Sequence, residues 1–218
     1  MKSRFIYIIF AIMLVLLVNP FLRPAGLFGH LVSTLLIALI PLSSSLALTR
    51  DRKTATIILV IAAPFVILDS INFFSPHRLL MITALGFVTV LYFYIVILLT
   101  KCLLAIRVVT VDLIYCAISI YLLIGMGWAG VYNIVESISP DSFSGTSESG
   151  DLLYFSFVTL TTVGYGDVLP LSVLGKRLAI VEAAMGSIYM AVIVAMIVGR
   201  YMSMQPEQDS ASETSSKK

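Results

Sequence analysis

The chain has 218 residues, of which 59% are hydrophobic and only 12% are charged. A soluble domain of that size has no interior large enough for so much apolar surface, so a multi-span membrane protein is expected. The net charge of +2 points to no nucleic-acid partner, and no Ser or Cys stands beside a histidine as a hydrolytic enzyme would need.

Lys2 and Arg4 precede an apolar run from Phe5 to Val18, a pattern shared by signal peptides and first spans. The following Asn19-Pro20-Phe21-Leu22-Arg23-Pro24 lacks a small-residue cleavage site, so the run is read as an uncleaved first span reaching Leu22. A second span is expected over Leu27–Leu48, with Pro41 as a kink. After the basic turn Arg50-Asp51-Arg52-Lys53, a third covers Thr54–Phe74 and contains Pro64 and the intramembrane acid Asp69. The fourth covers Leu79–Thr100. The fifth, Val108–Val135, ends in the small-residue stretch Gly125-Met126-Gly127-Trp128-Ala129-Gly130, which suits close helix approach. Cys102 and Cys116 have neither metal-ligand nor disulfide spacing and read as small apolar residues.

From Glu136 to Gly150 the composition turns polar and predicts an exposed loop. The apolar stretch Asp151–Leu160 is too short for a hydrocarbon core that needs about 20 residues, so it predicts a re-entrant helix. Non-helical backbone at membrane depth is tolerated only where protein buries it or it lines a water-filled cavity. Thr161-Thr162-Val163-Gly164-Tyr165-Gly166-Asp167 meets that condition as the wall of a pore. Gly164 and Gly166 reach backbone angles most residues avoid, while Val163 and Tyr165 can pack outward. The carbonyls of Thr162, Val163, Gly164 and Tyr165, with the Thr162 hydroxyl, would then replace the hydration shell of an ion. The C-terminal end of the short helix would aim its negative dipole at a cation below. Phosphate loops fit poorly: Leu169 stands where a third glycine is needed, and Pro170 and Arg177 break a Walker pattern at Gly175-Lys176.

The run Tyr154 to Asp167, ending in Thr162-Val163-Gly164-Tyr165-Gly166-Asp167, resembles the selectivity filter of potassium channels, and is most similar to small bacterial channels of the ion-channel pore family. The resemblance covers Asp151 to Arg200, about a quarter of the chain. It implies an all-α membrane protein with six transmembrane helices, a re-entrant pore helix and an extended filter, four subunits closing one pore. On that reading residues 1–105 form a four-helix N-terminal bundle and 106–202 a pore domain. Residues 203–218 are too polar to fold alone and are expected to be a disordered tail. The implied activity is passive K+ conduction by a homotetramer in a lipid bilayer, in a bacterial inner membrane. The alternative is a pore-fold sensor or regulatory subunit that conducts only with partners. Internal repeats of the transporter kind are absent.

Orientation follows from Lys and Arg. With the N-terminus cytoplasmic, ten fall inside (Lys2, Arg4, Arg50, Arg52, Lys53, Lys101, Arg107, Arg200, Lys217, Lys218) and four outside (Arg23, Arg78, Lys176, Arg177). Both termini are then cytoplasmic. Glu136, Asp141, Glu148, Asp151 and Asp167 lie outside, either concentrating cations at the mouth or forming a merely solvated loop. His30 and His77 also fall near the outer face, as ordinary interfacial residues or as an external proton sensor. Between Arg78 and Lys101 no Arg or Lys occurs, so the bundle is not expected to sense voltage in the familiar way. Neither a regulatory ligand nor a regulatory partner is specified by any motif.

Two readings concern the last span, Lys176–Tyr201. The resemblance implies a hinge at Gly186, which follows Gly166 by 20 residues. At helical spacing Ser187, Met190, Val194 and Val198 then share a cavity-facing stripe. Glu182 lies five residues before Ser187, about 140° off that stripe. An intramembrane carboxylate costs roughly 2.5–3.5 kcal/mol on insertion scales and so has a functional reading by default. Together with Gly166 and Asp167 it is expected to support the filter, as a buried brace bonded to Ser156, Thr159 or Thr161. The alternative has it reaching out to Lys176 or Arg177.

Overall fold

The structure is a computed structural model that describes residues 4–22, 26–48, 52–106, 108–145 and 150–216, without the side chains of Pro20, Arg52 and residues 203–216. Lys2, Arg23, Arg50, Asp51, Arg107, Glu148, Lys217 and Lys218, used above in counting charge, lie outside the described residues. Among the described residues seven helices follow one another: α1 Ile6–Leu22, α2 Gly26–Leu48, α3 Arg52–Phe74, α4 Arg78–Ala105, α5 Val111–Ile138, α6 Asp151–Leu160 and α7 Val173–Ser216. Two short strands, β1 Phe143–Ser144 and β2 Leu169–Pro170, pair antiparallel across α6. Among the described residues five helices are long and apolar enough to cross a membrane, namely α2, α3, α4, α5 and the first 30 residues of α7. The first expected span, α1, has 17 residues, the lower end of what a span needs.

Each helix of α1–α4 packs on the next, which short connections between antiparallel neighbours dictate. Helix α4 then lies along α5, and α1 also reaches α5. The small residues of α5 permit this. A Cβ on Gly130 would collide with the Thr89 hydroxyl of α4, and one on Gly125 would meet the Phe157 ring of α6. Arg78 donates to the carbonyls of Ser137 and Ile138 at 2.6 Å each, tying the start of α4 to the open C-terminal end of α5. Helices α2 and α3 run unbroken through Pro41 and Pro64. The backbone of α7 continues as helix to Ser216, across the segment expected to be disordered.

The intramembrane acid of α3 is partnered. Asp69 accepts from the Thr34 hydroxyl at 2.6 Å and faces the His30 imidazole at 3.6 Å, both on α2. His30 in turn stacks on Phe73, with ring centroids 4.4 Å apart. The His77 backbone N–H donates to the Asn72 side chain.

Candidate ion-conducting site

Helix α6 has ten residues and is about 15 Å long, half the depth of a hydrocarbon core. Asp151 stands in its first turn, where a negative side chain complements the helix dipole. At its other end the chain leaves the helix abruptly. The Val158 carbonyl accepts from the backbone N–H groups of both Val163 (3.0 Å) and Gly164 (3.3 Å), folding the next residues back against the helix end.

The backbone of the following strand alternates in hand. Thr162, Gly164 and Gly166 have φ of 61°, 57° and 81°, whereas Val163 and Tyr165 between them stay on the negative side. A regular extended strand sends successive carbonyls to opposite faces. Turning over every second residue brings them to one face, which is the arrangement a row of ion-coordinating oxygens requires. The two glycines meet nothing within 4 Å of a built Cβ, so their requirement is conformational and not spatial. Thr162 was not anticipated in this role. A β-branched residue at positive φ is an outlier, which marks a strained position.

Residues 161–167 are all exposed in the single chain, with Val163 52% and Tyr165 71% accessible. Their support comes from behind. The Tyr165 ring lies parallel to that of Tyr154 on α6 at 6.4 Å. The Tyr154 hydroxyl donates to Asp167 at 2.7 Å, and this bond holds the Asp167 carboxyl below the usual carboxylate range. Past Asp167 the chain is pinned by the β1–β2 pair and by Ser142, whose carbonyl accepts from Leu171 and Ser172 at 2.7 and 3.1 Å. Glu136 is committed to the same loop, accepting from the N–H groups of Asp141 (2.8 Å) and Phe143 (3.2 Å).

Glu182 is fully buried and has two partners. Its Oε1 accepts from the Ser156 hydroxyl of α6, and its Oε2 from the Tyr132 hydroxyl of α5, both at 2.5 Å. Thr161 turns back instead to the Phe157 carbonyl. Tyr132 is the partner that sequence reasoning missed. It lies 50 residues from Glu182 and carries no motif, although a Tyr in an otherwise apolar span is itself a signal, since its hydroxyl must find an acceptor when buried.

Gly186 is also placed by contact: a Cβ there would run into the Leu160 carbonyl oxygen at the end of α6. Of the expected stripe, Met190 and Val194 line a cavity of about 500 Å³ together with Thr161 and Tyr121. Ser187 and Val198 are exposed but are not part of that lining. The off-stripe residues Val192 and Met196 line a separate cavity of about 630 Å³ with Leu103 and Thr100 of α4.

The bundle of apolar helices, the half-depth helix and the alternating backbone of residues 162–166 together fit a membrane channel. Residues 106–203 match the family model described as ion channel. Protein LctB of Bacillus caldotenax is 39% identical over 98 residues, covering 41% of this chain and 72% of that protein. The two-pore potassium channel 4 of Arabidopsis thaliana is 39% identical over 71 residues, 32% of this chain and 25% of that one. The inward rectifier potassium channel Kirbac3.1 of Paramagnetospirillum magnetotacticum is 29% identical over 79 residues, 36% of this chain and 25% of that channel. No solved structure matches the chain significantly. The chain belongs to the ion-channel family; it is a multi-pass membrane protein and a channel, not an enzyme.

Proposed function

We propose that the chain forms a homotetrameric, potassium-selective pore in which K+ passes down a column of backbone carbonyls from Thr162, Val163, Gly164 and Tyr165. The alternating hand of residues 162–166 carries this reading, because it is costly and on this reading is what gathers the carbonyls on one face. A single such strand cannot surround an ion, and four are needed to replace a hydration shell. The exposure of residues 161–167 supports further copies in the same way, since backbone at membrane depth requires cover by protein or by a water-filled path. On this reading residues 106–202 make the pore, residues 1–105 an accessory bundle, and the outer mouth lies at Asp167. On the same reading the conduction path continues below Thr161 past Met190 and Val194, which line the 500 Å³ cavity together with Tyr121 of α5.

Flux of purified protein in liposomes, K+ against Na+, tests the proposal. The expected result is K+ flux in clear excess over Na+, with native mass spectrometry reporting four copies. A stable monomer or dimer that conducts, or equal flux of the two ions, overturns it.

A further inference from the structure

Two contacts between α6 and α7 repeat at the same interval on both helices. Glu182 meets Ser156, and four residues further on Gly186 meets Leu160, four residues beyond Ser156. Both helices therefore run side by side in register over one turn, directly behind the filter strand. The first contact is a buried hydrogen bond and the second a backbone approach that only a missing side chain allows. Sliding or rotating α7 by a fraction of a turn breaks both at once.

Helix α5 closes the arrangement from the far side. The Tyr132 hydroxyl takes the second Glu182 oxygen, the Ser156 hydroxyl also lies 2.8 Å from the Gly125 carbonyl, and the Tyr121 hydroxyl donates to the Leu160 carbonyl at 3.1 Å. The Tyr132 ring meanwhile packs edge-on against Phe155 of α6 and Phe143 of β1, at 5.1 and 5.4 Å. Since β1 pairs with β2 just beyond Asp167, Tyr132 touches the supports of both ends of the filter strand.

We propose that Glu182 and Tyr132 are positioning residues for ion selection, and that Gly186 seats α7 on the pore helix instead of acting as its hinge. Neither side chain meets the ion. Each acts through Ser156 and the placement of α6. This rests on the pore reading given above. Gln at 182 can accept from Tyr132 and donate to Ser156, whose own hydrogen then serves Gly125, so the arrangement survives loss of the negative charge. Ala at 182 leaves the Tyr132 hydroxyl without a partner among buried groups.

The test is the K+/Na+ flux ratio of tetramers in liposomes, with assembly checked by native mass spectrometry. Glu182→Ala should lower the ratio by about tenfold or more, as the loss of buried hydrogen-bond partners predicts. Glu182→Gln should stay within about twofold of wild type, because it keeps the bonds. Tyr132→Phe keeps the ring and should lower the ratio between these limits, and Gly186→Ala should lower it like Glu182→Ala. Adding Ser156→Ala to Glu182→Ala should have little further effect, as expected for partners in one contact. If Glu182→Ala does not assemble, Tyr132→Phe decides, and a wild-type ratio there overturns the inference. A Glu182→Gln variant as impaired as Ala would also overturn it, since charge and not position would then be the cause. A wild type without K+ preference refutes the pore reading itself.

Discussion

The two long helices that flank α6 are alike in composition and opposite in cover. In the most apolar stretch of α5, 67% of residues are buried within the chain, against 11% in that of α7. Helix α5 is enclosed by α1, α4, α6 and α7, and its glycines admit α4 and α6 closely. Helix α7 touches α5, α6 and β2 along one side and leaves Ile180, Val181, Ile188, Val192 and Val194 exposed. Hydropathy cannot separate these cases, because lipid, cavity and protein all accept an apolar side chain. The polar residues do separate them: Glu182 marks the side of α7 that is turned inward.

The strand 162–166, carried between the two helices and read above as the filter, should give the largest effect. Gly166→Ala places a Cβ at a φ of 81°, and a left-handed residue costs roughly 1–2 kcal/mol, incurred by every subunit. K+ flux should fall to background or lose its preference over Na+ while the oligomer persists. Normal flux from this variant would remove the strand from the conduction path.

Next in size is the contrast between the helices themselves. Leu123→Ala, at a fully buried site of α5, should destabilise the protein by about 2–5 kcal/mol. Val192→Ala, at a site 57% exposed on α7, should cost less than about 1 kcal/mol. Thermal unfolding in detergent measures both, and equal losses would mean that copies of the chain bury Val192 as thoroughly as Leu123.

A finer test divides α7 by face. Cysteines replacing Met190 and Val194 should react with charged thiol reagents applied from the cytoplasmic side of open channels, whereas cysteines replacing Val192 and Met196 should not. The reverse pattern would place the conduction path on the α4 side.

The smallest effect concerns Asp167 and Tyr154. Because the folded-state carboxyl is held below the usual carboxylate range by the Tyr154 hydroxyl, the bond is present at neutral pH and is lost only as pH falls through that lowered value. Tyr154→Phe should therefore move the acid-induced loss of flux to higher pH and leave neutral-pH flux nearly unchanged. An unchanged acid profile would show that this bond does not hold the mouth.

Hydropathy and length sufficed to place the apolar helices, because each apolar run must either cross the membrane or turn back within it, and α6 was legible from its shortness alone. The helix of α7 beyond Met202 was not foreseen, since its polar composition gave no apolar run. The glycines at 164 and 166 were legible for a conformational reason that needs no neighbours. Gly186 and Glu182 were visible as exceptions in an apolar helix, and Ser156 was among the partners expected for the acid. What the sequence could not state was which contact each exception serves. The φ of Thr162 follows from the Val158 carbonyl drawing the chain back. Tyr132 joins Glu182 only because α5 and α7 both lean on α6. The β1–β2 pair exists because α6 returns the chain to the face from which it entered. Apart from the local turn at Thr162, these pairings join residues 25 to 50 positions apart, where helical periodicity carries no information and only the packing of the three helices sets the distance.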